Sequence, residues 1–287
     1  MRYLSTKHLL EQTVAGTRRE GPMSLTLDLS GRLAVVTGGV RGVGRGISRA
    51  FLAAGADVVA VARREPPDLP SVDGRTARFV SLDVRDPDAV RDFMDGLDRI
   101  DVLVNNAGGT PFLPLSEGDL RTHAKIIELN LTAPLICARA AAARMRARPG
   151  GGSIIMIGSV SGVRPSPGSA AYGAAKAGLH SLATSLAVEW APDDIRVNAL
   201  VLGMVRTESS DLHYGDEAGI AAVGRTVPLG RLADPYADVG AACVYLASDL
   251  AAYVTGSALL MHGGGERPAF LDAATANRPG LNEEDAK

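Results

Sequence analysis

The stretch Arg32-Leu-Ala-Val-Val-Thr37-Gly38-Gly-Val-Arg41-Gly42-Val43-Gly44 decides the fold. Its first half, RLAVVT, is a short apolar, β-branched run of the kind that forms a buried strand. The glycines that follow have the spacing TGxxxGxG, and a helical pattern runs from about Arg45 to Ala54. Two readings fit this order. One is a plain structural turn; the other is a cradle in which backbone N–H groups and a helix dipole meet an anionic phosphate. Its place after the first strand of an alternating chain favours the cradle.

The alternation continues outward from this point. Asp57–Ala62, Arg78–Leu82, Asp101–Val104, Ser153–Ile157, Ile195–Val201 and Ser257–Met261 read as strands. Helical patterns lie at Pro87–Leu97, Leu120–Arg148, Ala170–Trp190 and Asp234–Ser248. Several strands are continuous apolar runs, as expected where helices cover both faces of a parallel sheet. Right-handed crossovers then give an α/β fold with a doubly wound parallel sheet. No internal repeat or long linker divides residues 29–265, so they form a single domain. Residues 1–28 read as a disordered extension, with the patterned chain opening near Met23, and residues 266–287 read as a tail.

Composition narrows the function. The 287 residues carry 30 basic and 32 acidic side chains, a net charge of −2 and a pI near 6.2. A nucleic-acid binder would show a domain pI above about 9, so no nucleic-acid partner is expected. The basic residues are skewed: four are lysine (Lys7, Lys125, Lys176 and Lys287) and 26 are arginine. A well-placed lysine is therefore easy to notice. Cys137 and Cys243 lie far apart in apolar stretches and read as small buried hydrophobes rather than a disulfide. No run approaches the roughly 18 uninterrupted apolar residues of a membrane span. The first 22 residues also lack the apolar core of a secretory signal. A cytoplasmic protein with no membrane partner is the expectation.

The end of the second strand bears on the nucleotide such a cradle takes. An acid there holds the ribose 2′-OH of NAD, whereas arginine accommodates the 2′-phosphate of NADP. Here the run is Val61-Ala62-Arg63-Arg64, with Ala62 where the acid is looked for. Arg41, inside the glycine turn, adds a third guanidinium. Three such groups repel one another unless an anion joins them or solvent screens them. A solvated basic edge is the plain alternative. The reading favours NADP(H), with NAD(H) as the alternative.

Tyr172-Gly-Ala-Ala-Lys176 sets a phenol and an ammonium four residues apart on one helix face. Alone, that pair is as readily a surface contact; its neighbours strengthen it. Ser159 ends the fifth strand, at the carboxyl edge where ligands of open α/β sheets bind. Asn130, in Leu129-Asn130-Leu131-Thr132, is either a core amide satisfied by backbone or part of the same site. Proton transfer coupled to hydride transfer fits this set. A tyrosine with a pKa of about 10 is a poor base at neutral pH. Bringing it to neutrality needs roughly 4 kcal/mol, which a neighbouring ammonium is expected to supply. Tyr172 then gives a proton to a carbonyl oxygen, or takes one from an alcohol, while Ser159 hydrogen-bonds that oxygen.

Taken in order, Thr37–Gly44, Leu82-Asp83-Val84, Asn105-Asn106-Ala107-Gly108, Asn130, Ser159, Tyr172…Lys176 and Asn198-Ala199…Gly203…Thr207 resemble the motifs of the short-chain dehydrogenase/reductase family. The resemblance covers roughly Leu29 to Gly265. It implies a Rossmann-like fold and an NAD(P)-dependent ketone–alcohol oxidoreductase without a metal. Tyr172 would be the acid/base and Ser159 would orient the substrate. Lys176 would grip the nicotinamide ribose and lower the Tyr172 pKa, and Asn130 would hold a relay water behind it. Gly38, Arg41, Gly42, Val43, Arg63 and Arg64 would meet the phosphates. Asp83 and the Val84 backbone would take the adenine, Asn105 would lie along the cofactor, and Val205 and Thr207 would meet the carboxamide.

The same resemblance makes Gly109–Pro114, Val160–Gly168 and the polar segment Arg206–Pro228 the walls of a substrate pocket. Phe112, Leu113, Val163 and Met204, with Arg164 at the rim, suit a carbonyl on an apolar body such as a 3-oxoacyl, polyketide or steroid-like compound. A homo-oligomer, tetramer or dimer, packed through the long helices is also implied. Two departures stand out. Leu202 replaces the usual proline before Gly203, which frees φ and is expected to loosen the segment that follows. His262-Gly263-Gly264 replaces Asp-Gly-Gly, and His262 is expected at a subunit contact. The alternative class, a dinucleotide-binding sensor or scaffold without turnover, is expected to lose the tyrosine or the lysine; both are present.

Overall fold

The computed structural model describes residues 27–266 and 268–273. The expected N-terminal extension (but for Leu27 and Asp28) and most of the expected tail lie outside the described residues. In chain order the first half contains β1 (Leu33–Thr37), α1 (Gly42–Ala53), β2 (Asp57–Ala62), a small antiparallel hairpin of β3 (Ser71–Val72) and β4 (Arg75–Thr76), β5 (Arg78–Ser81), α2 (Pro87–Asp95) and β6 (Val102–Asn105). Then follow α3 (Leu120–Ile127), a π-helical turn at Glu128–Thr132, α4 (Ala133–Arg146), β7 (Gly152–Ser159) and α5 (Ala170–Trp190). The chain continues through β8 (Ile195–Leu202), α6 (Asp211–Tyr214), α7 (Glu217–Thr226), a π-helical turn at Pro235–Gly240, α8 (Ala241–Ala247) and β9 (Ala258–Met261). The predicted strands end within two residues of those found, and α1 starts three residues early because the glycine turn runs straight into it. The hairpin, α6 and α7 were not predicted.

The parallel sheet has seven strands in the order β5-β2-β1-β6-β7-β8-β9. The order reverses between β1 and β6, so successive crossovers cover opposite faces and leave a crevice outside the carboxyl ends of those strands. Alternate residues of each strand feed two separate cores. Val35, Val59, Leu103, Ile154 and Val197 pack with α2, α4 and α5. Ala34, Val58, Val102, Ile155 and Leu200 pack with α1 and α8. Both sides of every central strand are therefore apolar, which is why the sequence shows runs and not alternation.

Cys137 lies in the first core and Cys243 in the second, so the sheet stands between the two free thiols. Burial pushes the Cys137 thiol up to about 12. Among the described residues Leu120–Arg146 is long and apolar enough, by length and composition, to cross a membrane. Its Cys137, Ala138, Ala141 and Met145 side chains pack into the first core, so in this fold it is a core helix.

Candidate active site

Thr37 ties the exits of β1 and β6 together. Its hydroxyl donates to the Val104 carbonyl at 3.2 Å and accepts the Asn106 and Ala107 N–H groups, each at 3.0 Å. Asn106 Nδ2 donates back to the Thr37 carbonyl at 2.9 Å. Gly38, at φ +65°, turns the chain here and gives its N–H to the Val61 carbonyl at 2.7 Å. Gly44, in the first turn of α1, passes so close that a Cβ would stand 2.1 Å from the Gly38 oxygen and 2.5 Å from Asn106 Nδ2. The turn is folded onto itself, its inner wall admits no side chain, and it opens at the N-terminus of α1, where Gly42 and Val43 begin the helix.

Glu208 sits on that helix end. Its Oε1 accepts the Gly42 N–H at 2.7 Å, a favourable place for a negative charge. Sequence reading missed this residue, because the contact spans 166 positions. Arg41, Arg63 and Arg64 are all exposed, and none forms an ion pair with a described residue. The β1–β2 pairing of Thr37 with Val61 makes the loops that carry them neighbours.

Two expected cofactor residues have other partners. Asp83 is gripped by the Arg85 fork, Nε to Oδ1 at 2.9 Å and Nη2 to Oδ2 at 2.6 Å. Chiefly those hydrogen bonds, with a weaker pull from Arg63, hold its carboxyl down at about 2. The Asn105 side chain is a correction. It is 3% exposed and donates to the Pro134 carbonyl at 3.1 Å and to Met156 Sδ at 3.2 Å. The β6 pleat turns it into the core, so only its backbone remains at the strand exit. The Val84 side chain is likewise buried in the core.

The catalytic candidates come together at the exit of β7. Lys176 is 3% exposed; its Nζ donates to the Ile157 carbonyl at 2.7 Å and stands 5.5 Å from the centre of the Tyr172 ring. The Ser159 hydroxyl lies near enough to the Tyr172 phenol to affect its titration, and Ser159 Oγ accepts the Ser161 N–H at 3.1 Å. The expected lowering of the phenol is not found. Burial pushes the Tyr172 pKa up, with the Ser159 hydroxyl opposing it, and burial draws Lys176 down to about 8. The ammonium lies over the ring, bound to a carbonyl, and lost hydration of the phenolate outweighs the pull of the Ser159 hydroxyl.

Asn130 lies in the π-helical turn, fully buried. Its Nδ2 donates to the Ile126 and Gly109 carbonyls, both at 2.9 Å, and its Oδ1 accepts the Gly109 N–H at 3.0 Å. The amide is thus satisfied by backbone, and its hold on Ile126, four residues back, accompanies the break in the helical ladder. It still neighbours the lysine: a Cβ on Gly108 would stand 2.5 Å from Asn130 Oδ1 and 3.6 Å from Lys176 Nζ.

After β8 the segment expected to be looser beyond Leu202 is tied by main-chain hydrogen bonds. Leu202 is buried, Gly203 donates its N–H to the Met261 carbonyl at 2.9 Å, and Val205 bridges Ala233. These main-chain bonds supply the restraint a proline would give. His262 packs within the chain, its Cα 2.8 Å from where a Gly203 Cβ would be. Val205 and Thr207 follow, and the Thr207 methyl faces Gly42.

The mouth is looser. Phe112 lies over Gly168, while Leu113 donates its N–H to the Gly168 carbonyl at 2.7 Å. The Tyr214 hydroxyl reaches Met204 Sδ at 3.2 Å, and Arg164 pairs with Glu266 at 2.6 Å. A cavity of about 720 Å³ lined by Ser161, Arg164, Ser166, Gly173 and Ala177 opens on the far side of α5, without Ser159, Tyr172 or Lys176 in its wall.

Known proteins resemble this chain in sequence and fold. A family model described as enoyl-(acyl carrier protein) reductase matches residues 38–266. The 3beta-hydroxysteroid dehydrogenase 1 of Eggerthella lenta is 36% identical over 247 residues, 83% of this chain and 94% of that protein. The 3-oxoacyl-[acyl-carrier-protein] reductase of Salmonella typhimurium is 36% identical over 246 residues, 83% and 98% of the two chains. A solved structure from Agrobacterium tumefaciens, provisionally named a 2-deoxy-d-gluconate 3-dehydrogenase and holding NADP, has a TM-score of 0.77 at 33% identity over 84% of this chain and 98% of that one. The fold and the relatives are those of an oxidoreductase that uses a nicotinamide dinucleotide. The chain belongs to the short-chain dehydrogenase/reductase family. The glycine turn suits such a cofactor, since Gly42, at φ +51° with nothing nearer to a Cβ there than the Thr207 methyl at 3.7 Å, leaves the N-terminus of α1 open to a phosphate.

Proposed function

We propose that the protein interconverts a ketone and a secondary alcohol with NADP(H), on a largely apolar substrate. The observation that carries this is the meeting of Ser159, Tyr172 and buried Lys176 at the exit of β7, beside the glycine turn of β1. The nicotinamide, when bound, supplies or accepts the hydride. The oxygen is handled by the protein. Tyr172, kept as a phenol by burial, gives its proton to the carbonyl oxygen during reduction and recovers one in the reverse direction. Ser159 hydrogen-bonds that oxygen as charge develops on it. Lys176 holds the nicotinamide ribose, and Asn130, packed against Gly108 beside the lysine, holds a relay water behind it.

Gly38 shapes the turn, and the Gly42 and Val43 N–H groups at the start of α1 take the phosphates, with Glu208 giving up the Gly42 N–H to them. Asp83 and the Val84 backbone flank the adenine, and Val205 and Thr207 meet the carboxamide. Exposed Arg41, Arg63 and Arg64, unpaired among the described residues and with no acid at Ala62, favour the 2′-phosphate. Phe112, Leu113, Val163 and Met204 favour an apolar substrate, as the steroid and oxoacyl relatives' names support. We further read the protein as a cytoplasmic homo-oligomer, tetramer or dimer, which light scattering of the purified protein tests.

The function is tested with a panel of oxoacyl, polyketide-like and steroid ketones and alcohols, run with each nucleotide and followed by cofactor absorbance. Turnover with NADPH is expected. Tight dinucleotide binding without turnover on any compound would overturn the reading in favour of a sensor.

A further inference from the structure

The row that carries Tyr172 and Lys176 continues one turn further. His180 stands four residues beyond Lys176 on the same face of α5, and no step read above uses it. Its imidazole is wedged between α5 and the exit of β7. A Cβ on Gly158 would lie 2.3 Å from His180 Nε2, and a Cβ on Gly162 would lie 2.9 Å from Cε1. Those two glycines bracket Ser159, one residue before it and three after. The preceding residue of β7, Ile157, accepts the Lys176 ammonium. The buried Nε2 of His180 has no hydrogen-bond partner among the described residues, so the ring is held by shape and not by a polar contact. Burial first, and then the charge of Lys176, draw its pKa below the usual imidazole range. Lys176 is the charged group that acts on it; β7 and the Val160–Gly162 turn present none. The wedge is neutral beside an ammonium.

We propose, on the reading of Ser159 and Tyr172 as the proton-handling pair, that His180 is a positioning residue whose ring fills the space left by Gly158 and Gly162 and so sets Ser159 on β7 against Tyr172 on α5. The ring's width is what matters, and the two glycines are its counterpart.

The test uses the full chain carrying His180→Ala, His180→Phe, Gly158→Ala and the double variant Gly158→Ala/His180→Ala, with kcat, dinucleotide Kd and thermal midpoint measured for each. Removing the ring should lower kcat about 10- to 100-fold, as a displacement on the order of 1 Å does, while dinucleotide Kd stays within about twofold. His180→Phe keeps a flat ring and should retain most of the kcat. Gly158→Ala drives a methyl into the ring and should lose kcat; in the double variant that methyl enters vacated space, and kcat should recover about tenfold over Gly158→Ala alone. An unchanged kcat in His180→Ala, equal losses in His180→Phe and His180→Ala, or additive losses in the double variant would each overturn the proposal. Tyr172→Phe is assayed alongside. If it stays active, the pair itself is misread; if it is dead and the His180 series is flat, only the wedge is wrong.

Discussion

At the floor of the crevice, Thr37, Asn106, Asn130 and Lys176 each commit their side chains to main-chain partners, and Lys176 and Asn130 are buried. In the segments expected to wall its mouth, Phe112 and Leu212 are each 79% exposed. The floor must hold a proton donor, a hydroxyl and a cation in one arrangement. Buried polar groups do this well, because each lost partner costs about 1–3 kcal/mol. The proposed apolar substrate would enter and leave through the mouth, for which exposed apolar side chains suffice. The ion pair that ties the start of the segment after β8 to α7, Arg206 with Glu217 at 2.8 Å, is exposed and adds little. The proposed chemistry and the proposed specificity thus fall on elements of different burial and hydrogen bonding.

That contrast can be broken from the floor. Tyr172→Phe has the largest expected effect, a fall in kcat of roughly 10²- to 10⁴-fold with dinucleotide affinity nearly intact, read by steady-state kinetics and a binding titration. At the edge of the floor, replacing Arg63 and Arg64 by alanine should raise the KM for NADPH about 10- to 100-fold and leave that for NADH little changed, the worth of one charged hydrogen bond. A wild type that prefers NADH would reverse the nucleotide reading. Asn130→Ala should cost about 1–3 kcal/mol in urea unfolding, since it strands the Gly109 and Ile126 backbone groups. Phe112→Ser and Leu212→Ser should each move unfolding by less than about 0.5 kcal/mol, while changing substrate KM.

The floor was legible in the sequence to the extent that its geometry is local. The spacing TGxxxGxG puts a turn on α1, and Tyr172 and Lys176 share a helix face whatever surrounds them. What depends on distant contacts was hidden. Glu208 meets Gly42 only because the segment after β8 folds back, and His180 reads as one more polar residue in α5 until Gly158 and Gly162 are seen around it. The sign of the Tyr172 shift was misjudged because spacing reports the nearby ammonium but not the burial that outweighs it. The π-helical turn at Asn130 leaves the leucine pattern unchanged and so has no signature. In the lid, α7 did carry a local signal: Asp216 accepts the Gly219 N–H as an N-cap, a spacing that the polar composition of the segment obscured.

Asp83 lies between the two regimes, partly exposed like the mouth yet held by a two-pronged partner like the floor. Its folded pKa is depressed to about 2, chiefly by the Arg85 hydrogen bonds, against about 3.9 for a free aspartate. A depressed carboxylate stabilises the fold fully above its unfolded pKa and loses that stabilisation as pH falls toward its folded value. The gap in unfolding free energy between wild type and Arg85→Ala should therefore be constant from neutrality to about pH 5 and narrow between about 4 and 2. Solvent screening at a partly exposed pair keeps that gap below about 1 kcal/mol. Urea unfolding of both proteins across this range measures it. A gap that persists unchanged at pH 3 would mean that Arg85 acts through packing and not through the Asp83 charge, and would move this corner of the crevice from the mouth's exposed regime to the floor's packed one.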